Sequence, residues 1–141
     1  MVQIFQIVPP WFALAAGGSV ACLNGYPTAQ AEYILSDGVF VGTVISQQDV
    51  PAREKYFDQD GVMYTVRVDE LLRGRQPQRV RLFSENSSGR FPMRVGIKYL
   101  LFVYRDHGRT IVDNCGNSEI YSKTSPVLLA VRKLKAQKQR Q

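Results

Sequence analysis

Histidine and cysteine are scarce in this chain, with one of the first and two of the second in 141 residues. Structural zinc takes about four such ligands, so a metal site built from them is not expected. A serine or cysteine hydrolase would have His107 as its single candidate base. That residue falls in the Asp106-His107-Gly108 segment, which has the composition of an exposed turn. No G-x-S-x-G, phosphate-cradling glycine loop, G-x-G-x-x-G or H-E-x-x-H occurs. Without them the expectation is a protein that is not an enzyme and carries no cofactor. Strand–helix alternation is missing as well, which speaks against a doubly wound parallel sheet.

What is present is ordinary globular material, with 45% hydrophobic and 21% charged residues. The length suits one domain, large enough to bury a core without a metal. The net charge of +6 is unevenly spread. Setting aside Arg132, Lys133, Lys135, Lys138 and Arg140 leaves thirteen basic residues against twelve acidic ones, so the body is close to neutral. Such a tail suits nucleic acid or an anionic membrane. It also suits a solvated, frayed helix end whose cations face the negative end of the helix dipole, and this plainer reading is preferred. A second group, Arg67, Arg73, Arg75, Arg79 and Arg81, is diluted by Asp69 and Glu70.

The first charged side chain is Glu32. Before it runs an apolar stretch that includes Ile4, Phe5, Ile7, Val8, Trp11, Phe12 and Leu14, followed by Gly17, Gly18, Ser19, Val20 and Ala21. An apolar run ending in small residues has the form of an export signal, and both 13–15 (ALA) and 19–21 (SVA) fit small-x-small cleavage. Pro9-Pro10 and the absence of a basic start depart from that form. Gln3, Gln6 and the proline pair shorten the run below the roughly 20 residues of a membrane span. Residues 1–21 are therefore taken as a signal or apolar leader, residues 22–135 as the folded domain, and 136–141 as a basic tail.

Thr28 is placed to cap a short helix through Leu35, with Ala31, Ile34 and Leu35 inward. Residues 39–45 (VFVGTVI) form a buried strand, with Gly42 as a bulge or close-approach point. Residues 46–61 are polar, contain Pro51 and are expected as a loop. Within them, 58–61 (DQDG) looks like part of a calcium loop, but the bidentate glutamate would fall on Arg67, which leaves a turn. Val62, Tyr64, Val66 and Val68 alternate with polar neighbours as a half-buried strand. Arg73-Gly74 turns the chain, and Val80, Leu82 and Phe83 begin a third strand. Residues 84–89 form a polar loop. Residues 98–104 (KYLLFVY) make a central strand, and 110–112 return from the hairpin. Thr124 or Ser125 caps a last helix with Pro126 at its first position and Leu128, Val131 and Leu134 on one face. Helix, five short strands and helix, mainly β, fit a five-stranded Greek-key barrel of the OB-fold type.

Cys22 and Cys115 are even in number and far apart. After an export signal they read as one disulfide; in the cytosol they would be two buried thiols.

Three strand motifs, taken together, resemble a known family. Residues 37–46 (DGVFVGTVIS), 64–74 (YTVRVDELLRG) and 96–104 (GIKYLLFVY) are similar to the strands of bacterial proteins like the tissue inhibitors of metalloproteinases, within the netrin-like domain family. Asp113-Asn114-Cys115 looks like the family's late cysteine, and the helix from Pro126 like its closing helix. The resemblance covers about residues 22–135. It implies an OB-fold, a secreted or periplasmic location and no catalysis. In the family a first cysteine pairs with a middle one and a second with the late one. Here Val20 and Ser88 stand at the first and middle positions, while Cys22 and Cys115 keep the other pair, so the resemblance implies a Cys22–Cys115 bridge. It also implies a contact ridge at Cys22, Leu23, Asn24, Gly25, Tyr26 and Pro27. The animal inhibitors chelate protease zinc through an N-terminal cysteine. Cys22 would offer that amine only if processing left it first, and then shifted by two residues.

The function expected is a secreted or periplasmic module that binds a protein partner, a protease being the class that the resemblance implies. The alternatives are a single-stranded nucleic-acid-binding OB protein, which the near-neutral body disfavours, and a module attached to the envelope by a retained N-terminal segment. Asn86-Ser87-Ser88 is a glycosylation sequon in a eukaryotic secretory pathway.

Overall fold

The computed structural model describes residues 22–23, 25–53 and 59–141. The expected leader, residues 1–21, lies outside them. In chain order the elements are α1 (Ala29–Leu35), β1 (Gly38–Pro51), β2 (Gln59–Arg73), β3 (Arg79–Glu85), β4 (Lys98–Asp106), β5 (Arg109–Val112), β6 (Glu119–Ile120) and α2 (Pro126–Gln139). Strand β1 pairs with β2, β2 with β3, and β3 meets β5 in parallel at Leu82–Thr110. Strand β5 pairs with β4, and β4 returns to β1 from Gly38 to Thr43. The result is a closed ring of five strands, with β6 laid along β4 beside β5.

Two apolar layers follow from the strand alternation. Phe40, Val44, Tyr64, Val66, Leu82, Leu101 and Val103 fill the ring interior. Val39, Val41, Leu72, Leu100 and Phe102 point the other way and meet Tyr33 of α1 with Leu128 and Val131 of α2. This is why 98–104 reads as an unbroken apolar run: β4 is buried on both faces. The interior phenols are not stranded. Tyr64 Oη accepts from the Met93 N–H at 3.2 Å and Tyr99 Oη from the Arg94 N–H at 2.9 Å. A Cβ at Gly42 would lie 2.6 Å from Val66 Cγ1 and 2.9 Å from the Arg67 carbonyl oxygen, and the register shifts beside it. The expected close approach is there.

Both helix caps agree with the sequence. Thr28 Oγ1 accepts from the Ala31 N–H, and Ser125, not Thr124, caps α2 through the Leu128 N–H. Arg132 on α2 forks onto both carboxylate oxygens of Glu70 at 3.1 and 2.7 Å, and Lys135 Nζ donates to the Leu71 carbonyl at 2.8 Å. These cations dock the helix on β2, while Lys138 is the basic residue in the last turn, where it suits the dipole. The helix runs to Gln139, so the boundary expected at residue 136 falls inside it.

Four expectations are corrected. Residues 46–51 and 59–61 are not a loop or turn, since β1 and β2 run on as a paired ribbon to Pro51 and Gln59. Their polarity reflects exposure: Ser46, Gln47, Gln48 and Asp49 all meet solvent while the backbone ladder is satisfied between the two strands. Asp58 lies outside the described residues. Ser84 and Glu85 belong to β3 rather than the following loop. The described residues form six strands rather than five, because the two-residue β6 is too short to leave a periodic signal. On α1 the inward residues are Glu32 and Tyr33, while Ile34 and Leu35 are exposed. Tyr33 donates to the Leu72 carbonyl at 3.1 Å, under the Arg73 guanidinium 5.7 Å from its ring centroid. These polar contacts turn the Glu32–Tyr33 side of the helix inward in place of its most apolar side.

No helix among the described residues is long and apolar enough to cross a membrane.

Two outcomes are expected. Gly42→Val places branched carbons against a backbone carbonyl that has nowhere to go, and should lower urea-measured stability by about 1–3 kcal/mol. Glu70 is held below the usual carboxylate range by the Arg132 hydrogen bonds, with the Arg132 charge adding to them against partial burial. A carboxyl depressed on folding stabilises above its unfolded pKa and loses that contribution as pH falls through its folded value. Both partners are about a third exposed, so Glu70→Gln should cost only about 0.5 kcal/mol at neutral pH. That difference should vanish in urea melts at acid pH.

Candidate functional site

The expected ridge is the stretch leading into α1. Cys22 is bonded to Cys115, 93 residues away, with Cα atoms 5.7 Å apart. The Gly25 N–H closes a turn back on the Cys22 carbonyl at 2.9 Å. Leu23 and Tyr26, at 94% and 73% exposure, stand out from it, while Pro27 is half-buried. Asn24 lies outside the described residues. Asn117 Nδ2 donates to the Pro27 carbonyl at 2.9 Å, and Thr28 then starts the helix. The ridge is therefore tied at its start by a covalent bond and at its end by a hydrogen bond and a helix cap.

Those ties share an anchor that sequence reasoning missed. Glu32 is 1% exposed. Its Oε1 accepts from the backbone N–H and the side-chain amide of Asn117, and its Oε2 accepts from Tyr104 Oη at 2.7 Å. Gly116 packs against the carboxylate so closely that a Cβ there would lie 2.3 Å from Oε2. No cation pairs with Glu32 among the described residues. Its burial is supported by hydrogen bonds alone, which is what a buried carboxylate requires. Burial, and then the Glu32 contact, push the Tyr104 phenol far above its ordinary range, so it stays a donor. The signal available in the sequence was faint: an acidic residue on the inward side of a seven-residue helix, and a glycine beside the late cysteine.

A groove of about 780 Å³ adjoins the ridge. Pro27, Leu35, Phe83, Phe91, Tyr104 and Ile111 supply its apolar and aromatic lining, and Arg90, Arg109 and Asp113 stand among them. His107 also lines it. It sits at positive φ in the β4–β5 hairpin turn, as expected. Its Nδ1 lies 2.6 Å from Asp106 Oδ1, so these neighbours touch. Both are exposed, and both line the groove. Among the described residues no group of three His, Cys, Asp or Glu side chains could hold a metal ion.

Replacing both cysteines by serine opens a loop of 93 residues. In the chain-entropy model this should cost about 4–5 kcal/mol, read as a lower thermal midpoint that reductant reproduces in the unaltered protein.

No protein-family model matches the chain and no curated protein matches it, so the functional reading rests on the ridge, its tethers and the groove beside it.

Proposed function

We propose that the chain is an extracytoplasmic, non-catalytic module of OB-fold topology that binds a protein partner through the ridge at residues 22–27. The observation that carries this is the tethered ridge itself. Exposed Leu23 and Tyr26 are presented on a segment fixed by Cys22–Cys115 and by Asn117. Large exposed apolar side chains on pre-ordered backbone are what a protein interface uses, because little conformational entropy remains to be lost on binding. Tyrosine adds an apolar ring with a polar tip.

Other features support the same reading. The closed ring β1-β2-β3-β5-β4, with β4 returning to β1, supports the OB-fold reading. A disulfide between distant segments suits an oxidising compartment. The apolar leader fits export, and the strand motifs that resemble the metalloproteinase inhibitors supply a protease as the partner class. The groove would take an apolar side chain of that partner alongside the ridge.

The test uses a photo-crosslinking amino acid in place of Tyr26 in the native host, with Ile120, exposed on β6, as the control position. The expected result is a discrete adduct from position 26 that is absent from position 120 and is lost on Leu23→Asp. No adduct, or the same adducts from both positions, would overturn the ridge reading. Inhibition of a zinc protease panel, abolished by Leu23→Asp, then decides the partner class.

A further inference from the structure

On the far side of β2 and β3 from the ring interior, strand register sets cations against one another. Thr43 of β1 is opposite Lys98 of β4 on one side and Arg67 of β2 on the other, and Arg67 is directly opposite Arg79 of β3. Arg81 follows two positions along β3, opposite Thr65. Val66, Val80 and Leu82, which alternate with these residues, are buried in the ring, so the arginines face outward. Arg67, Arg79, Arg81 and Lys98 are all exposed.

Like charges directly opposite on neighbouring strands cost stability, and one acidic partner would have relieved them. Asp69 does so for Arg67, at 2.9 Å, while also accepting from Thr43. No acidic side chain pairs with Arg79 or Arg81 among the described residues. The row crosses strands at about 5 Å intervals, and the two β3 arginines are about 7 Å apart along the strand. The surface is a strand face rather than a cavity, which suits an extended polymer over a small anion.

We propose that this face binds an acidic polysaccharide, its carboxylate or sulfate groups taken by the guanidinium forks of Arg79 and Arg81, with the Asp69-paired Arg67 flanking them. Guanidinium offers two parallel N–H donors that match such oxygen pairs. The disulfide suits an oxidising compartment, where acidic glycans are the characteristic linear polyanions. Nucleic acid is disfavoured because, among the described residues, this face offers no free ring. Phe83 is the aromatic residue at the outward positions of β2 and β3; it is 8% exposed and lies under the Arg109 guanidinium, 3.9 Å from its centroid. Base stacking on it is blocked. The site shares no residue with the ridge and goes beyond the protein-binding reading.

The test is equilibrium binding of the full oxidised chain to polygalacturonate and to dextran sulfate, with neutral dextran and oligothymidylate alongside. The expected result is salt-sensitive binding to one or both acidic glycans, none to dextran, and weaker binding to oligothymidylate. Arg79→Ser with Arg81→Ser should weaken glycan binding about tenfold or more, since each removes charge-assisted hydrogen bonds. The α2 control, Lys133→Ser with Lys138→Ser, should stay within about twofold, as dispersed surface charges contribute little. Whichever glycan binds identifies carboxylate or sulfate as the group recognised. Failure to bind either glycan, tighter binding of oligothymidylate, or equal losses in the two double variants would overturn the proposal. Both β3 arginines are exposed, so an unchanged thermal midpoint separates lost binding from lost fold.

Discussion

The buried Glu32 carboxylate is the contact on which the arrangement around the ridge depends. It lies beneath α1, takes three hydrogen bonds from Asn117 and Tyr104, and leaves room for nothing larger than glycine at position 116. By holding Asn117 it fixes the segment that carries Cys115 on one side and the Pro27 carbonyl on the other. A carboxylate in this position must keep its donors or lose its burial. The loop, the bridge and the start of α1 are therefore linked through one side chain. The same contacts turn Tyr33 of α1 into the helix layer.

Much of the fold was legible because its apolar periodicity is clean. Val62, Tyr64, Val66 and Val68 alternate, 98–104 is apolar on both faces, and Ser125-Pro126 announces α2. The closed ring follows from those strands and from the Asp106–Arg109 hairpin. What was not legible shares a physical cause. The ribbon at 46–51 is held by backbone pairing, which leaves no apolar signature. The inward face of α1 is decided by polar contacts made 72 to 85 residues away in sequence. Apolar counting places Ile34 and Leu35 inside, and three hydrogen bonds to Glu32 outweigh it. The cysteine pair was readable from the sequence, whereas the carboxylate that seats it was not.

The surface divides its chemistry between two regions. The ridge is apolar and aromatic, next to the covalent tie, and the groove beside it mixes aromatic and charged side chains. The β2–β3 face is cationic, and its arginines belong to the group that the sequence shows as diluted by Asp69 and Glu70. Folding undoes part of that dilution. Glu70 is drawn away to Arg132 and Asp69 is spent on Arg67 and Thr43, which leaves Arg79 and Arg81 with no acidic partner among the described residues. A body near neutral in total thus carries a locally positive face, and net charge alone does not reveal it.

The measurement that bears most directly on the central claim is backbone ¹⁵N relaxation across residues 22–28 in the oxidised protein. If Glu32 and the disulfide hold the ridge in one conformation, the amides of Leu23, Gly25 and Tyr26 will show order parameters near those of the sheet, about 0.85. Replacing Glu32 by alanine will lower them while the β4 amides stay rigid. Order parameters below about 0.6 in the unaltered, oxidised protein would show a ridge that its tethers do not order, and would contradict the account.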